Sequence, residues 1–341
     1  MNDSTVRNVR SDVSRLIGVF RGQPVDHVPY FEHSIGQRIA SHVLGEAVSD
    51  NGMTPEQHVR LALRIGMDAV GFGLYWGIGR VSRQASDGTW HYVDGRVKDW
   101  NDLAREKRPD LESGLAYLER YLRAAEGTGL GVWVYTHGPW DPVYLGIGYQ
   151  DFMYKLYDDR RLVETMMDLV LDYHTEVFTR LADYPVCFLM VGDDVAQKTG
   201  LMVQPQLFRE LWLPRMQRLI AAPKAKGIPL LFHSDGGLDE VLPLVLDLGF
   251  DAINPIEPYS NDIYAIKARW GDRITLVGNI DVAGPLSYGT PDEVYADVRE
   301  HLERLKPGGR YVLCSSHSIV DSVPPANFDA MIAAWREHGV Y

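Results

Sequence analysis

The feature that most constrains the fold of this chain is a regular alternation between short apolar runs and segments with helical spacing. Eight runs rich in β-branched and aromatic residues recur, and helical periodicity follows them. Most of the runs are apolar throughout, which is typical of parallel strands covered on both faces. The predicted strands are 27–33, 68–74, 131–137, 186–192, 228–234, 251–257, 274–280 and 311–317.

Two of the intervening segments illustrate the helical pattern. Segment 290–305 begins with Thr290 as N-cap, Pro291 at the first helical position and Glu293 to complete a capping box. In segment 160–183 the apolar residues fall on one stripe. The residues predicted to face the core are Leu162, Met166, Leu169, Tyr173 and Val177 in that segment, and Val294, Val298, Leu302 and Leu305 in 290–305.

Strands that alternate with helices over one undivided chain predict an α/β fold. The specific prediction is a single (β/α)8 TIM barrel domain that spans residues 1–341. A doubly wound sheet is the alternative architecture. It is disfavoured because no glycine-rich phosphate-binding loop follows the first predicted strand.

Charge and composition restrict the class of partner. The 341 residues carry a formal net charge of −12, so nucleic acid and anionic membrane surfaces would be repelled. The two cysteines, Cys187 and Cys314, fit a reducing compartment better than a disulfide framework. No apolar run approaches the roughly 20 residues that span a bilayer, and the polar stretch 1–12 does not resemble a signal peptide. We expect a cytoplasmic protein without a membrane or nucleic-acid partner.

Polar and ionisable residues are concentrated where the predicted strands end. In a barrel of parallel strands these ends converge on one mouth, where active sites are built. Loop polarity scattered at random would not produce this concentration, so the pattern indicates an enzyme. The residues concerned are Glu32, His33, His137, Asp193, Asp194, His233, Asp235, Asn254, Glu257, Asn279, Asp281, Cys314 and His317.

The sequence "LLFHSDGG" ends a predicted buried strand with a titratable pair. His233 and Asp235 are two residues apart, so in extended chain their side chains point to the same side. Imidazole nitrogen and carboxylate oxygen are both ligands for zinc, which makes a metal site one interpretation. In the alternative interpretation, Asp235 caps a helix that starts near Leu238 and His233 is hydrogen-bonded in the core.

Two other stretches offer acids or nucleophiles. The adjacent Asp193 and Asp194 alternate in direction, so one can face the site while the other caps or pairs with a base. Glu257 lies between two prolines, either as a rigidly presented acid or as a loop residue facing solvent. Cys314 is predicted to be a small buried residue rather than a nucleophile, whereas His317 follows the last strand and borders the mouth.

The stretch "VYTHGPW" supplies Tyr135 and His137, and Trp140 as a wall for an aromatic pocket. Other aromatic residues near the predicted mouth suit the same pocket, although each is equally compatible with core packing. They are Tyr30, Phe72, Tyr75 and Trp76.

Five ordered motifs give the chain a resemblance to the uroporphyrinogen decarboxylase superfamily, over nearly its whole length. The motifs are "RLIGVFRGQPVDHVPYFEHSIGQR", "DDVAQKTGLMVQPQLFRELWLPRMQRLI", "LFHSDGGLDEVLPLVLDLGFDAINPIEP", "LVGNIDV" and "GGRYVLCSSHSIVDSVPPANFDAM". The resemblance implies a (β/α)8 barrel and, in many members, a homodimer. It also implies one of two chemistries.

Decarboxylases of uroporphyrinogen use arginines in the first motif and an aspartate after the next strand. Here the matching stretch "FEHSIGQR" has Glu32 where an arginine is expected, which leaves only Arg38 in that stretch, and "DAVGFGLYW" has no acid at its end. The departures disfavour this activity, which stays the alternative function.

The other branch of the superfamily consists of zinc-dependent methyltransferases that serve corrinoid proteins. Their zinc is typically held by a His-x-Cys pair and a later Cys. His233 falls on the family's histidine, and Asp235 and His317 fall on its two cysteines. The resemblance therefore implies zinc at His233, Asp235 and His317. From their positions at the strand ends, we expect Asp193 and Glu257 to be catalytic residues, with either one as a fourth ligand or a partner of the metal site.

A ligand set of histidines and a carboxylate leaves zinc a stronger Lewis acid than thiolates would. We therefore expect transfer of a methyl group from a small donor, with a methoxylated aromatic compound as the candidate, to the corrinoid of a separate protein. The residues predicted to bind this substrate are Tyr30, Glu32, Tyr75, His137 and Trp140.

Overall fold

A sheet of parallel strands lies at the centre of the structure, a computed structural model that describes residues 9–49, 52–84 and 90–341. Neighbouring strands of the sheet follow one another along the chain, and every pairing between them is parallel. The single-domain prediction also includes residues that lie outside the described ones, namely 1–8, 50, 51 and 85–89. The sheet comprises β1 (Ala69–Gly73), β4 (Gly131–His137), β5 (Leu189–Gly192), β8 (Leu230–His233), β9 (Ala252–Asn254), β10 (Thr275–Val277) and β11 (Tyr311–Val312). The other strands of the described residues form two antiparallel pairs. They are β2 (Arg80–Gln84) with β3 (Trp90–Gly95), and β6 (Ala196–Gln197) with β7 (Gly200–Leu201).

The extended segment 27–33 joins the two edges of this sheet and closes the barrel. Tyr30 forms a parallel bridge with Leu313, whose backbone N–H donates to the carbonyl oxygen of Pro29 at 3.0 Å. On its other side, the backbone N–H of Asp68 donates to the carbonyl oxygen of Tyr30 at 2.9 Å. The (β/α)8 barrel prediction is thus confirmed, with the first predicted strand reduced to isolated bridges.

The helices in the described residues cover the outside of the barrel. None of them is both long and apolar enough to cross a membrane. They are α1 (Val13–Phe20), α2 (Gln37–Leu44), α3 (Pro55–Ile65), α4 (Trp100–Leu103), α5 (Leu111–Ala125), α6 (Asp141–Ile147), α7 (Tyr149–Asp158), α8 (Arg160–Leu181), α9 (Pro205–Ala225), α10 (Leu242–Leu248), α11 (Ile263–Trp270), α12 (Pro285–Tyr288), α13 (Pro291–Leu305) and α14 (Pro325–His338).

The two helices predicted in detail are both present. Helix α13 starts after Thr290 with both hydrogen bonds of the capping box to Glu293, and its predicted core residues are fully buried. Helix α8 differs at one position, because Leu169 is 38% exposed. Its buried face is centred on residues such as Val170 and His174, so Leu169 lies at the edge of the apolar stripe.

A buried carboxyl group adds a polar link at the closure of the barrel. Glu32 accepts hydrogen bonds from the backbone N–H of Ser315 at 3.1 Å and from its hydroxyl at 2.6 Å. Glu32 is 1% exposed, and Cys314 beside it is fully buried, as predicted. Burial raises the pKa of Glu32 from 4.5 to about 7. Glu32 therefore supports the junction between the first and last segments.

Replacing Glu32 with glutamine should change how stability depends on pH. A carboxyl group whose pKa is raised by folding stabilises the folded state fully below its ordinary pKa of 4.5, and this contribution is lost as pH rises through about 7. Glutamine stays neutral at every pH. The free energy of unfolding of the native protein minus that of Glu32→Gln should therefore fall by about 2 kcal/mol between about pH 5 and about pH 8. Urea unfolding at both pH values measures this.

The exposed Glu303 of α13 provides the matched control. Glu303→Gln removes the same charge at the surface, where the difference from the native protein should stay nearly constant with pH. If the free energy of unfolding of Glu32→Gln also differed from that of the native protein by the same amount at both pH values, burial would not shift the pKa of Glu32.

Candidate active site

Three potential metal ligands converge where β5 and β8 end. His233 is the last residue of β8, Asp235 follows two residues later, and Asp194 follows β5. One ligand atom from each of the three lies within 4.8 Å of the others. We call these residues the ligand cluster. Adjacent parallel strands deliver them to the same edge, because β5 and β8 pair in register from Leu189 with Leu230 to Gly192 with His233.

Hydrogen bonding fixes the orientation of the His233 ring. The Nδ1 atom of His233 donates to Oδ1 of Asn254 at 2.7 Å, and Nδ2 of Asn254 donates to the carbonyl oxygen of Val277 at 3.1 Å. The second bond holds the amide so that its oxygen faces the imidazole. With Nδ1 bonded to Asn254, Nε2 is the ring nitrogen of His233 that is left to bind a metal.

The carboxylate of Asp235 is only partly satisfied by protein groups. Its Oδ1 atom is buried without a hydrogen-bond partner, and burial raises the pKa of this carboxyl group. The backbone N–H of Asp235 donates to Oδ1 of Asp194 at 3.0 Å, which keeps the two acids side by side. Two adjacent carboxylates with a buried free oxygen form a site that a cation would stabilise.

The alternative interpretation, in which Asp235 caps a helix near Leu238, is wrong. No helix begins there, and the backbone N–H of Leu238 donates instead to Oδ1 of Asn261 at 2.9 Å. Helix α10 begins only at Leu242, after Val241 at its N-cap position.

His317 and Glu257 lie around the ligand cluster. The side chain of His317 is 53% exposed, and its Nε2 atom is 3.9 Å from Oδ2 of Asp235. The ring centroids of His317 and His233 are 6.4 Å apart. Glu257 accepts a hydrogen bond from the backbone N–H of Gly236 at 3.1 Å, so it anchors the turn that follows Asp235.

Asp193 lies below the mouth, and the structure does not bring it into the cluster. It is fully buried and accepts hydrogen bonds from the backbone N–H groups of Trp140 at 3.0 Å and Asp141 at 2.7 Å. The indole N–H of Trp212 donates to its second oxygen at 2.7 Å. Asp193 therefore anchors the start of α6, and its neighbour Asp194 faces the site.

Two residues predicted to bind substrate are part of the core. Trp140 is fully buried, with its ring against Phe152 and Phe208. Tyr30 is also fully buried and contacts Trp335. Glu32 is occupied at the barrel closure, so of the predicted substrate-binding residues Tyr75 and His137 are the ones near the mouth.

A cavity of about 390 Å³ opens beside the ligand cluster. His33 connects the two, because it lines the cavity and its ring stacks on His233 with centroids 5.5 Å apart. None of the described lining residues is a lysine or an arginine, and the walls are rich in aromatic rings. The lining consists of His33, Ser34, Ile35, Gly52, Met53, His58, Gly71, Phe72, Gly73, Tyr75, Tyr121, Trp133 and Tyr135.

A chain of three polar side chains leads from this cavity into the protein. The hydroxyl of Tyr135 is 2.6 Å from Nε2 of His137, and Nδ1 of His137 is 2.7 Å from Oδ2 of Asp141. Burial lowers the pKa of His137 to about 4 and raises that of Asp141 well above its ordinary value. The ring of Tyr75 meets His137 edge to face, with centroids 4.4 Å apart.

Three of these contributors are not among the residues predicted to bind metal or substrate or to be catalytic. Asp194 carried the right signal, because it is the second acid of an adjacent pair after β5. Asp141 lies four residues after His137, and the Gly-Pro turn between them gives no sequence signal that their side chains are in contact. His33 was recognised as a residue at a strand end, but its stacking on His233 depends on barrel closure.

Comparison with known proteins identifies the family. The family model for uroporphyrinogen decarboxylase (URO-D) matches residues 12–338. Methylcobamide:CoM methyltransferase MtaA of Methanosarcina barkeri is 26% identical over 349 residues, which cover 95% of this chain and 97% of that protein. Uroporphyrinogen decarboxylase of Methylococcus capsulatus is 25% identical over 250 residues, with 69% and 68% covered.

A solved structure gives the same fold. The structure of a methyltransferase from Methanosarcina mazei has a TM-score of 0.73 with this chain at 20% identity and covers 96% of this chain and 99% of its own. Because the family match extends over nearly the whole sequence, the chain belongs to the uroporphyrinogen decarboxylase family.

Proposed function

We propose that the protein is a zinc-dependent methyltransferase that transfers a methyl group from a small methoxylated aromatic donor to the corrinoid of a partner protein. The observation that carries the proposal is the ligand cluster, in which a buried oxygen of Asp235 has no partner. The similarity to methylcobamide:CoM methyltransferase MtaA over 95% of this chain supports the same class of reaction.

The donor set of the cluster fits zinc. His233 offers an imidazole nitrogen, and the carboxylates of Asp194 and Asp235 together would offset the two positive charges of the ion. His317 is the fourth candidate, since its Nε2 atom lies beside Asp235 on the exposed side. When bound, zinc supplies a Lewis acid that draws electron density from the oxygen of a donor.

The cavity fits the aromatic part of the donor. Phe72 and Tyr121 stack with ring centroids 5.1 Å apart, and Trp133 provides a further aromatic wall. A volume of about 390 Å³ is within the range of pockets for small ligands. His33 lines this pocket and stacks on His233, so the pocket adjoins the ligand cluster.

The alternative activity, decarboxylation of uroporphyrinogen, needs cations for several substrate carboxylates. The described lining of the cavity supplies none. Arg38, the arginine of the stretch "FEHSIGQR" in the first motif, is exposed and donates to the backbone carbonyl of Asp321 at 3.4 Å. A cavity whose described lining has aromatic rings and no lysine or arginine thus favours an uncharged aromatic donor.

A zinc titration tests the ligand assignment. The native protein should bind one zinc ion per chain in isothermal calorimetry, and His233→Ala should weaken binding at least about 100-fold, because a ligand held by Asn254 is lost. Asp194→Asn should have a similar effect. His317→Ala should weaken binding less, because that side chain is half-exposed and lies farther from His233.

Asp158→Ala is the control, since Asp158 is an exposed carboxylate of α7 outside the mouth. Its affinity for zinc should match that of the native protein. Equal affinities for the native protein and His233→Ala would place any zinc elsewhere and refute the assignment.

Removal of zinc tests the reaction. Protein treated with a chelator should lose at least about 90% of its ability to methylate cob(I)alamin from methoxybenzenes, and added zinc should restore it. The visible spectrum of the corrinoid follows the transfer directly. Parallel incubation with uroporphyrinogen, followed by fluorescence of the oxidised product, should show no conversion. Efficient decarboxylation without methyl transfer would instead establish the alternative function.

A further inference from the structure

The residues Tyr135, His137 and Asp141 form a polar chain that zinc binding does not use. Tyr135 and His137 project from the same face of β4, and Asp141 is the first residue of α6. The distances of 2.6 Å and 2.7 Å between successive polar atoms leave no room for water between them. His137 and Asp141 are 7% and 4% exposed, so the inner end of the chain is closed to solvent.

The outer end of the chain points to the place where a donor would react. Gly192 lies in register between His137 of β4 and His233 of β8. A methyl group built on Gly192 would lie 2.9 Å from Cε2 of Tyr135 and 4.0 Å from Cδ2 of His233. The rings of Tyr135 and His233 therefore flank the same glycine, and His33 contacts both.

The electrostatic surroundings favour a neutral chain that donates outward. Burial raises the pKa of Asp141 and Tyr135 and lowers that of His137 to about 4. The described ionisable groups around the chain include two acids and one arginine, so the acids outnumber the cation. These groups are Asp193, Asp194, Arg80, His33, Tyr75, Tyr144, His174 and His233. Oδ2 of Asp141 lies 2.7 Å from Nδ1 of His137, which has no hydrogen-bond partner. A neutral His137 with its proton on Nε2 donates to the oxygen of Tyr135, so the Tyr135 O–H is left for a ligand.

We propose that Tyr135 is the proton donor to the oxygen that leaves when the donor loses its methyl group, and that His137 and Asp141 resupply this proton. The inference rests on the proposed methyltransferase function and adds a catalytic residue to it. Its structural basis is the continuous contact from Asp141 to a hydroxyl that lines the cavity beside His233.

The step balances in atoms and charge. The methyl–oxygen bond breaks, the methyl group forms a bond to the cobalt nucleophile of the corrinoid, and the oxygen keeps the electron pair. The Tyr135 hydroxyl gives its proton to this oxygen and receives the proton of His137 Nε2, while His137 Nδ1 receives the proton of Asp141. The donor leaves as a neutral phenol, and the negative charge rests on Asp141 until a proton from the emptied cavity returns to it through Tyr135 and His137.

This assignment defines the substrate class as methyl ethers. Their oxygen leaves as a basic anion and gains from protonation, whereas the leaving groups of methylated ammonium or sulfonium compounds depart neutral. A proton donor beside the cavity would have no function for those compounds.

Binding of 4-nitrophenolate, an analogue of the product anion, tests the proton donor independently of methyl transfer. The ionised probe is yellow and its protonated form is nearly colourless. The native protein, with and without added zinc, should remove the yellow absorbance of the bound probe by protonating it. Tyr135→Phe and Asp141→Asn should bind the probe with its colour retained. Persistence of colour in the native protein, equal loss in Tyr135→Phe, or lack of binding would each refute the proposal.

Tyr117→Phe is the matched control, because Tyr117 contacts Phe72 and Tyr121 behind the cavity wall and is not among its lining residues. It should decolorise the probe as the native protein does. Thermal unfolding of every variant checks that the barrel is intact, and Asp141→Asn keeps the Tyr135 hydroxyl while removing the proton source behind it.

Single-turnover transfer to cob(I)alamin then measures the kinetic effect. For 4-methylanisole, whose leaving group is strongly basic, Tyr135→Phe should be about 100-fold slower than the native protein. For 4-nitroanisole, whose leaving group is weakly basic, the loss should be at most about threefold. Equal losses for both donors would refute proton donation. Failure of the native protein to demethylate either donor, together with decolorisation of the probe, would refute the methyltransferase function but not the proton donor.

Discussion

Closure of the parallel barrel by segment 27–33 is the constraint on which the candidate site depends. Only a closed ring of strands brings the carboxyl ends of the first and last segments to the same mouth. The backbone hydrogen bonds from Leu313 to Pro29 and from Asp68 to Tyr30, together with the bonds of Ser315 to Glu32, provide that closure. It places His33 against His233 and His317 near Asp235, although these residues are far apart in sequence.

Gly192 lies between the two halves of the site, and its lack of a side chain lets them approach each other. On one side, β8 carries His233 toward the ligand cluster, and on the other side β4 carries Tyr135 and His137 toward the cavity. A larger residue at this position would push the Tyr135 ring away, because a single methyl group already approaches it to 2.9 Å. The close approach of the ligand cluster and the polar chain of Tyr135, His137 and Asp141 thus depends on the backbone of β5 at Gly192.

The sequence predicts the barrel well because each strand and helix carries its own local signal. The apolar runs locate the strands, and the Thr290 capping box places the start of α13 at the right residue. Side-chain direction at the strand ends was harder to predict. Whether Asp193 or Asp194 faces the mouth depends on where the chain turns after β5, and that turn is set by tertiary contacts with Trp140 and Trp212. Aromatic residues such as Trp140 carry no local signal that separates pocket from core.

The stacked pair of His33 and His233 has a further consequence for selectivity. Burial and the neighbouring histidines lower the pKa of His33 to about 3, so its ring stays uncharged over the physiological range. It can therefore contact an apolar donor on one face while supporting His233 on the other. A molecule too bulky for the cavity would displace His33 and remove packing from the His233 ring. Poor shape complementarity in the cavity would therefore disturb the geometry of the ligand cluster.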